Sequence, residues 1–206
     1  DYSYQSHMDW MTAFIEKLDL KNITLVCQDW GSLIGLRLAA ENESRFKAIV
    51  VGNGMLPTGD MAVPKAFKIW KNFALHSPWF PIARIIDSGS FKSLGKSERQ
   101  AYDAPFPGAE YYAAPRKMPE IVASELDAVN ADWQALKKWQ HPVLTLFSDL
   151  DPFLADQGYD TKFQENFLGA KNQPHETVEN ASHFLQEDQS LLLAKKTIGW
   201  LQQTRF

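Results

Sequence analysis

Residues 25–41 read LVCQDWGSLIGLRLAAE, an apolar strand pattern that passes directly into the pattern of a packed helix. One acidic residue, Asp29, stands between the two halves, with Cys27 and Gly31 two positions to either side. Small residues around a central reactive side chain, at a sharp strand-to-helix turn, are typical of a nucleophile elbow. The pattern therefore predicts that Asp29 is an exposed nucleophile. The competing interpretation is that Asp29 only caps the helix that follows.

Composition restricts the classes of protein to which the chain can belong. The chain has 206 residues and a hydrophobic content of 45%, enough for one substantial core. Its 21 Lys and Arg against 25 Asp and Glu give a formal charge of −4 without a basic block, so we expect no nucleic-acid partner. No apolar run approaches the roughly 18 residues of a membrane span, so we expect no membrane partner either. The single cysteine, Cys27, fits a reducing compartment, and we expect a cytoplasmic protein.

Strand and helix patterns alternate along the chain. Their spacing predicts helices at 5–18, 32–42 and about 188–204, and strands at 21–28, 46–54, 141–149 and, more weakly, 173–181. Alternating strands and helices indicate an α/β fold, with a mostly parallel sheet covered on both faces. We expect the strand at 21–28 to be buried on both faces, because its apolar run hardly alternates with polar residues.

Residues 57–131 differ in character from the rest of the chain. They contain no strand pattern and are rich in aromatic residues and prolines. We interpret them as a helical cap, inserted after the second strand and placed over the carboxyl edge of the sheet. Residues 1–56 and 132–206 then form the core that carries the sheet.

Two polar motifs follow later strands: FSDLDPF at 147–153 and NASHFLQED at 180–188. Nucleophile, acid and histidine, in this chain order, make up the catalytic triad of an α/β-hydrolase. His183 is the predicted base because it follows a strand by a short loop. The other histidines lie in helical segments or at the start of a strand: His7, His76, His141 and His175.

Two acids compete to orient His183. Asp149 stands at the end of its strand, whereas Asp151 lies two residues further into the turn. A turn residue a few positions beyond the strand reaches the histidine better than a residue at the strand end. We favour Asp151 and interpret Asp149 as a turn or solvent-facing acid.

These motifs, together with VCQDWGS, FKIW and AYDAPFPGAEY, resemble the haloalkane dehalogenases, in the subfamily whose acid follows the seventh strand. The resemblance covers nearly the whole chain and implies an α/β-hydrolase fold with a mostly parallel sheet and an inserted helical cap. It implies that haloalkanes are hydrolysed to an alcohol and a halide through an ester on Asp29. His183 would activate the water and Asp151 would orient His183, while Trp30 and Trp70 would bind the halide.

The same resemblance sets expectations about partners. The substrates are a small halogenated alkane and water, a halide ion is released, and no metal or cofactor is required. Three apolar cap side chains, Phe67, Phe73 and Phe106, are expected to line the substrate pocket. The family's sheet has more strands than the four predicted here. We therefore expect its N-terminal strands to precede residue 1, in a longer chain or in a separate N-terminal fragment that completes the fold.

Two alternatives remain open at this point. Epoxide hydrolases use the same type of Asp–His–Asp triad, and they require cap tyrosines, for which Tyr102, Tyr111 and Tyr112 are candidates. They usually carry His before the nucleophile, where this chain has Gln28. The other alternative is a non-enzymatic relative that only binds ligands, in which replacement of Asp29 would leave the function unchanged.

Overall fold

The structure, a computed structural model, describes residues 2–60 and 62–204, without the side chain of Asp156. Residues 1, 61, 205 and 206 of the predicted core and cap ranges lie outside the described residues. The described chain forms a four-stranded parallel sheet in the order β1–β2–β3–β4. Its strands are Ile23–Asp29 (β1), Phe46–Gly54 (β2), Val143–Ser148 (β3) and Glu176–Val178 (β4).

Helices connect and cover the strands. They are Tyr4–Lys17 (α1), Trp30–Glu41 (α2), Lys65–His76 (α3), Ile82–Ser88 (α4), Lys96–Asp103 (α5), Ala113–Ile121 (α6), Leu126–Lys137 (α7), Tyr159–Asn166 (α8) and Leu185–Gln203 (α9). Short 3₁₀ turns lie at Glu43–Arg45, Ala109–Tyr112, Ala155–Gln157 and Leu168–Ala170. Within the described chain, no helix is both long enough and apolar enough to span a bilayer.

Strand β2 shows how the sheet is buried from both sides. Ile49 and Val51 pack in one hydrophobic cluster, to which α1, α2, α7 and α8 contribute. Ala48 and Val50, which point to the opposite face, pack in a second cluster with α9. Successive side chains of a strand point to opposite faces, so this division places helices on both sides of the sheet. The predicted α/β fold with a covered parallel sheet is confirmed.

Strand β1 is less buried than its sequence predicts. In the described chain it pairs with β2 alone, so its other edge is open. Most of its side chains are half-buried, and Val26 is 64% exposed. Within the described residues this strand is therefore half-buried and not buried on both faces, because no neighbour covers its edge opposite β2.

Between β2 and β3 the described residues form the helices α3 to α7, in agreement with the absence of a strand pattern there. Aromatic side chains hold part of this segment together: Phe80 stacks on Phe73 with ring centroids 5.8 Å apart, and Trp70 packs against both rings. The predicted cap boundary after residue 131 falls inside α7. The division into cap and core stays a prediction.

Candidate active site

The chain turns sharply at Asp29, where β1 ends and α2 begins. Asp29 has φ 45° and ψ −119°, a positive φ that is uncommon outside glycine and that marks local strain. Its side chain makes no capping hydrogen bond to α2 and is 31% exposed. The interpretation of Asp29 as a helix cap is therefore not supported. Its carboxylate remains available to a ligand.

A buried serine holds this turn in place. The Ser32 hydroxyl lies 2.6 Å from the backbone carbonyl oxygen of Asp29, to which it donates, and it accepts from the Met55 backbone N–H at 2.8 Å. Ser32 is fully buried, so these bonds form away from water. They connect the elbow to the segment that follows β2. Sequence reasoning missed Ser32, because its partners lie three and 23 positions away in the chain.

The predicted base and acid meet above the sheet. His183 Nδ1 donates to Asp151 Oδ2 at 3.0 Å, and Asp151 is only 3% exposed. The second oxygen of Asp151 accepts the backbone N–H groups of Phe153 and Leu154 at 2.8 and 3.2 Å. On the other side of the ring, His183 Nε2 lies 3.7 Å from Asp29 Oδ1. The structure thus brings together the three side chains that the sequence singled out.

The competing acid and the other strand-associated histidine have different contacts. Asp149 accepts the backbone N–H groups of Asn180 and Ala181, both at 3.2 Å, and so fastens the loop after β3 to the loop after β4. His175 lies 3.1 Å from the Thr145 backbone nitrogen through Nδ1 and 2.7 Å from the Ala170 carbonyl through Nε2. These contacts favour structural roles for both residues.

A cavity of about 940 Å³ lies beside this triad. Asp29 and His183 line it, together with both predicted halide ligands and two of the predicted pocket residues, Trp30, Trp70, Phe67 and Phe73. Its size and its largely apolar wall suit a small organic ligand.

Phe106 is placed differently. It is absent from the described residues that line the cavity and packs instead against Tyr112, with ring centroids 6.0 Å apart. The predicted pocket role of Phe106 stays a prediction. Phe106 belongs to the aromatic cluster around Phe80, which also contains the cavity-lining Trp70 and Phe73.

Aromatic neighbours fix the two tryptophans on the cavity wall. Tyr4 of α1 packs against Trp30 at 5.4 Å between ring centroids, and Phe73 and Phe80 each lie 6.0 Å from Trp70. Neither indole N–H has a hydrogen-bond acceptor among the residues that the structure describes. An indole nitrogen is a donor only, so both groups can still donate a hydrogen bond to a ligand.

Two amide side chains that sequence reasoning missed also contact the site. Gln28 Nε2 and Asn53 Nδ2 donate to the backbone carbonyl of His183 at 3.1 and 3.0 Å. Both residues stand at the carboxyl ends of their strands, β1 and β2. The sequence contains a weak signal for them, since each is a polar residue at the end of an apolar strand pattern.

The charge of the site centres on His183. Burial lowers the pKa of its imidazole, but the hydrogen bond to Asp151 and the negative charges of Asp29 and Asp151 outweigh that effect, so its pKa lies above the usual value. Two carboxylates, Asp29 at the end of β1 and Asp151 in the loop after β3, thus favour the protonated ring. Among the described residues, no three His, Cys, Asp or Glu side chains are grouped so as to hold a metal ion.

Comparisons with known proteins agree on one family. The family model described as "alpha/beta hydrolase fold" matches residues 1–190. A haloalkane dehalogenase of Psychrobacter cryohalolentis is 44% identical over 206 residues, 98% of this chain and 67% of that protein. One of Mycolicibacterium paratuberculosis is 42% identical over 207 residues, with 98% and 68% covered. The chain thus spans about two thirds of the length of these relatives.

Solved structures show the same architecture. Haloalkane dehalogenase DpaA from Paraglaciecola agarilytica NO2 matches with a TM-score of 0.83 at 26% identity, over 95% of this chain and 66% of that one. Haloalkane dehalogenase DatA from Agrobacterium tumefaciens C58 matches with a TM-score of 0.84 at 22% identity, over 98% and 75%. The second likeness, at its lower identity, supports the fold alone.

The position of His183 between two carboxylates predicts a titration that depends on Asp29. In Asp29→Asn we expect the pKa of His183 to fall, because the charge 3.7 Å from Nε2 is removed while the ring stays buried. NMR titration of the imidazole signals measures this, with the His183 signal assigned from its loss in His183→Gln. Asp9→Asn, the same change at an exposed residue of α1, should leave the titration unchanged. An unchanged pKa in Asp29→Asn would contradict the geometry.

Proposed function

The chain belongs to the haloalkane dehalogenases, hydrolases of the α/β-hydrolase fold that act on carbon–halide bonds, and from this premise we propose the roles of its residues. Asp29 is the nucleophile, His183 the base and Asp151 the acid that orients the base. The observation that carries this proposal is the Asp29 carboxylate, which lines an apolar cavity with His183 Nε2 at 3.7 Å. A haloalkane and water are the substrates, and an alcohol and a halide ion are the products.

The first step is a displacement at carbon. A carboxylate oxygen of Asp29 attacks the carbon that bears the halogen, and the electron pair of the carbon–halogen bond leaves with the halide. An alkyl ester on Asp29 results. No proton is transferred, so this step needs no base. The strained turn supports this role, since it holds the carboxylate away from the helix backbone and toward the cavity.

Trp30 and Trp70 stabilise the leaving halide. Both line the cavity with Asp29, and neither indole N–H has an acceptor in the described part of the chain. Donors that are already in place need little reorganisation as negative charge develops on the halogen. The apolar side chains of Phe67 and Phe73, which line the same cavity, exclude water and hold the alkyl chain.

The second step hydrolyses the ester. His183 Nε2 takes a proton from water, and the water oxygen attacks the carbonyl carbon of the Asp29 ester. Backbone N–H groups in the first turn of α2 stabilise the oxyanion that forms. The alkoxide leaves and takes the proton from His183, which gives the alcohol. The second proton of the water is lost to solvent, and the Asp29 carboxylate is restored.

Ester formation also prepares the base. In the free enzyme the charge of Asp29 raises the pKa of His183. Esterification removes that charge while the ring stays buried, so the pKa of His183 falls and the ring loses its proton more readily. The neutral imidazole then becomes available at the step that requires it. Asp151 accepts the hydrogen bond from Nδ1 and so keeps the proton on that side of the ring.

Epoxide opening by the same triad is the alternative that the sequence left open. It requires a cavity tyrosine to protonate the epoxide oxygen. Tyr102, Tyr111 and Tyr112 are not among the described residues that line the cavity. Tyr102 instead donates to Glu187, and Tyr112 packs against Phe80 and Phe106. Tyr159 of α8 does line the cavity, so the tyrosines alone do not separate the two reactions. The identity of 44% and 42% to haloalkane dehalogenases favours dehalogenation.

The separate N-terminal fragment and the cytoplasmic location stay predictions. The open edge of β1, where Val26 is exposed, supports a further pairing partner for the sheet. Assays should therefore use this chain together with any segment that accompanies it in its gene.

Asp29→Asn should abolish bromide release from a short panel of bromoalkanes, because an amide is a poor nucleophile at carbon. His183→Gln should release about one equivalent of bromide per enzyme and then stop, since only the second step needs the base. Bromide release and the mass of the intact protein, which increases by the alkyl group in His183→Gln, measure both outcomes. Asp9→Asn is the matched control, with the same change on an exposed face of α1. Full bromide release by Asp29→Asn would contradict the proposal.

Trp30→Phe and Trp70→Phe keep an aromatic ring and remove one indole N–H each. Loss of a hydrogen bond to a charged group predicts a decrease of roughly 10- to 100-fold in kcat/KM and weaker inhibition by added bromide. Trp10→Phe, at an exposed tryptophan of α1, should change neither quantity. If Trp30→Phe and Trp70→Phe are inhibited by bromide as strongly as the unmodified protein and the Trp10→Phe control, the two tryptophans are not the halide ligands.

A further inference from the structure

We propose that Gln28 and Asn53 are positioning residues for the base and that they set the rate of ester hydrolysis. Their side-chain amides hold one backbone atom, the carbonyl oxygen of His183. We call this arrangement the amide clamp. The inference rests on the proposed function, in which His183 acts on the ester of Asp29. It extends that function to two residues that are not among the described residues lining the cavity and that bond the backbone of His183.

The clamp joins two strands to the loop that carries the base. Gln28 Nε2 lies 3.1 Å from the His183 carbonyl oxygen, and Asn53 Nδ2 lies 3.0 Å from the same oxygen. A carbonyl oxygen has two lone pairs, so it accepts both bonds. Gln28 is the residue directly before Asp29 in the chain. One peptide unit therefore separates the nucleophile from a residue that holds the backbone of the base.

Asn53 is fixed more strongly than Gln28. It is fully buried and has a φ of 38°, a left-handed conformation that asparagine tolerates better than most residues. Its Nδ2 also lies 2.8 Å from Ser148 Oγ and 2.8 Å from the Ser182 carbonyl, while its Oδ1 accepts the Ser148 backbone N–H at 2.8 Å. An amide has two N–H groups, so the three acceptors share them. Asn53 thereby ties β2 to the end of β3 and to the His183 loop.

The triad contacts alone leave the base incompletely positioned. Asp151 holds the imidazole at Nδ1, and Phe153 and Phe184 pack edge-on against the ring with centroids 5.0 and 4.9 Å away. These contacts fix the orientation of the imidazole ring relative to the backbone of His183. The amide clamp fixes the position of that backbone relative to Asp29. Proton transfer from water requires Nε2 at a defined distance from the ester carbonyl, and small displacements reduce its rate steeply.

The clamp should therefore affect the two chemical steps unequally. Alkylation of Asp29 needs the carboxylate and the halide ligands, and His183 takes no part in it. Hydrolysis of the ester needs His183. If the two amides had only a structural role, their loss would lower the stability of the fold. Alkylation and hydrolysis would then slow to the same extent, or both rates would stay unchanged. A selective loss of hydrolysis is the signature of positioning.

Gln28→Met tests the clamp with little disturbance of the core, because methionine has a similar length and shape and lacks the donor. We expect ester hydrolysis to slow by roughly three- to tenfold, the effect of one neutral hydrogen bond, with the rate of the bromide burst unchanged. Rapid-quench measurement of bromide and of the alkylated protein separates the two rate constants. Gln164→Met is the matched control, since Gln164 of α8 is also half-buried and donates to Thr145 Oγ1 of β3. It should leave both rate constants unchanged.

Asn53→Leu removes the second donor at similar volume and should slow hydrolysis more than Gln28→Met does. If circular dichroism shows that this variant does not fold, Gln28→Met alone decides. The clamp is overturned if Gln28→Met hydrolyses its ester at the rate of the unmodified protein, or if both steps slow equally. If the unmodified protein forms no ester, both the proposed function and the clamp fail. If the unmodified protein turns over normally and Gln28→Met does the same, only the clamp fails.

Discussion

The strained turn at Asp29 is the constraint on which the site depends. A positive φ between a strand and a helix keeps the carboxylate off the first turn of α2, where an ordinary aspartate would cap the helix. The buried hydroxyl of Ser32 maintains this conformation by joining the Asp29 carbonyl to the backbone of Met55. Hydrogen bonds inside the fold thus stabilise the strained backbone conformation of Asp29. In the proposed mechanism, the resulting exposed carboxylate is the nucleophile.

The base depends on the loops at the same edge of the sheet. Asp149 fastens the loop after β3 to the loop after β4, and Asp151 holds the imidazole of His183. Asn53 connects β2 to the end of β3 and to the loop after β4. The pKa of His183 is raised because two carboxylates outweigh its burial. Under the proposed mechanism the same arrangement changes its charge during turnover, since one of those carboxylates becomes an ester.

The sequence predicted the fold class and the three residues that meet at the site because both depend on local signals. Strand and helix periodicity indicated the parallel sheet, and the chain order of Asp29, Asp151 and His183 indicated their meeting at one edge. The sequence did not predict contacts between segments that are distant in the chain. Ser32 and Asn53 act through partners that only the folded chain brings near. The packing of Phe106 against Tyr112 could not be deduced from hydrophobic patterns.

The central claim is that Asp29 forms a covalent ester and that water attacks the carbonyl carbon of that ester. One turnover of a bromoalkane in water enriched in ¹⁸O tests it most directly, with mass spectrometry of the alcohol and of the peptide that contains Asp29. The account predicts ¹⁸O in the Asp29 carboxylate and the ordinary isotope in the first alcohol released, because the alcohol takes its oxygen from Asp29. The label in the first alcohol, with none in the Asp29 peptide, would show direct attack of water on the substrate and would contradict the account.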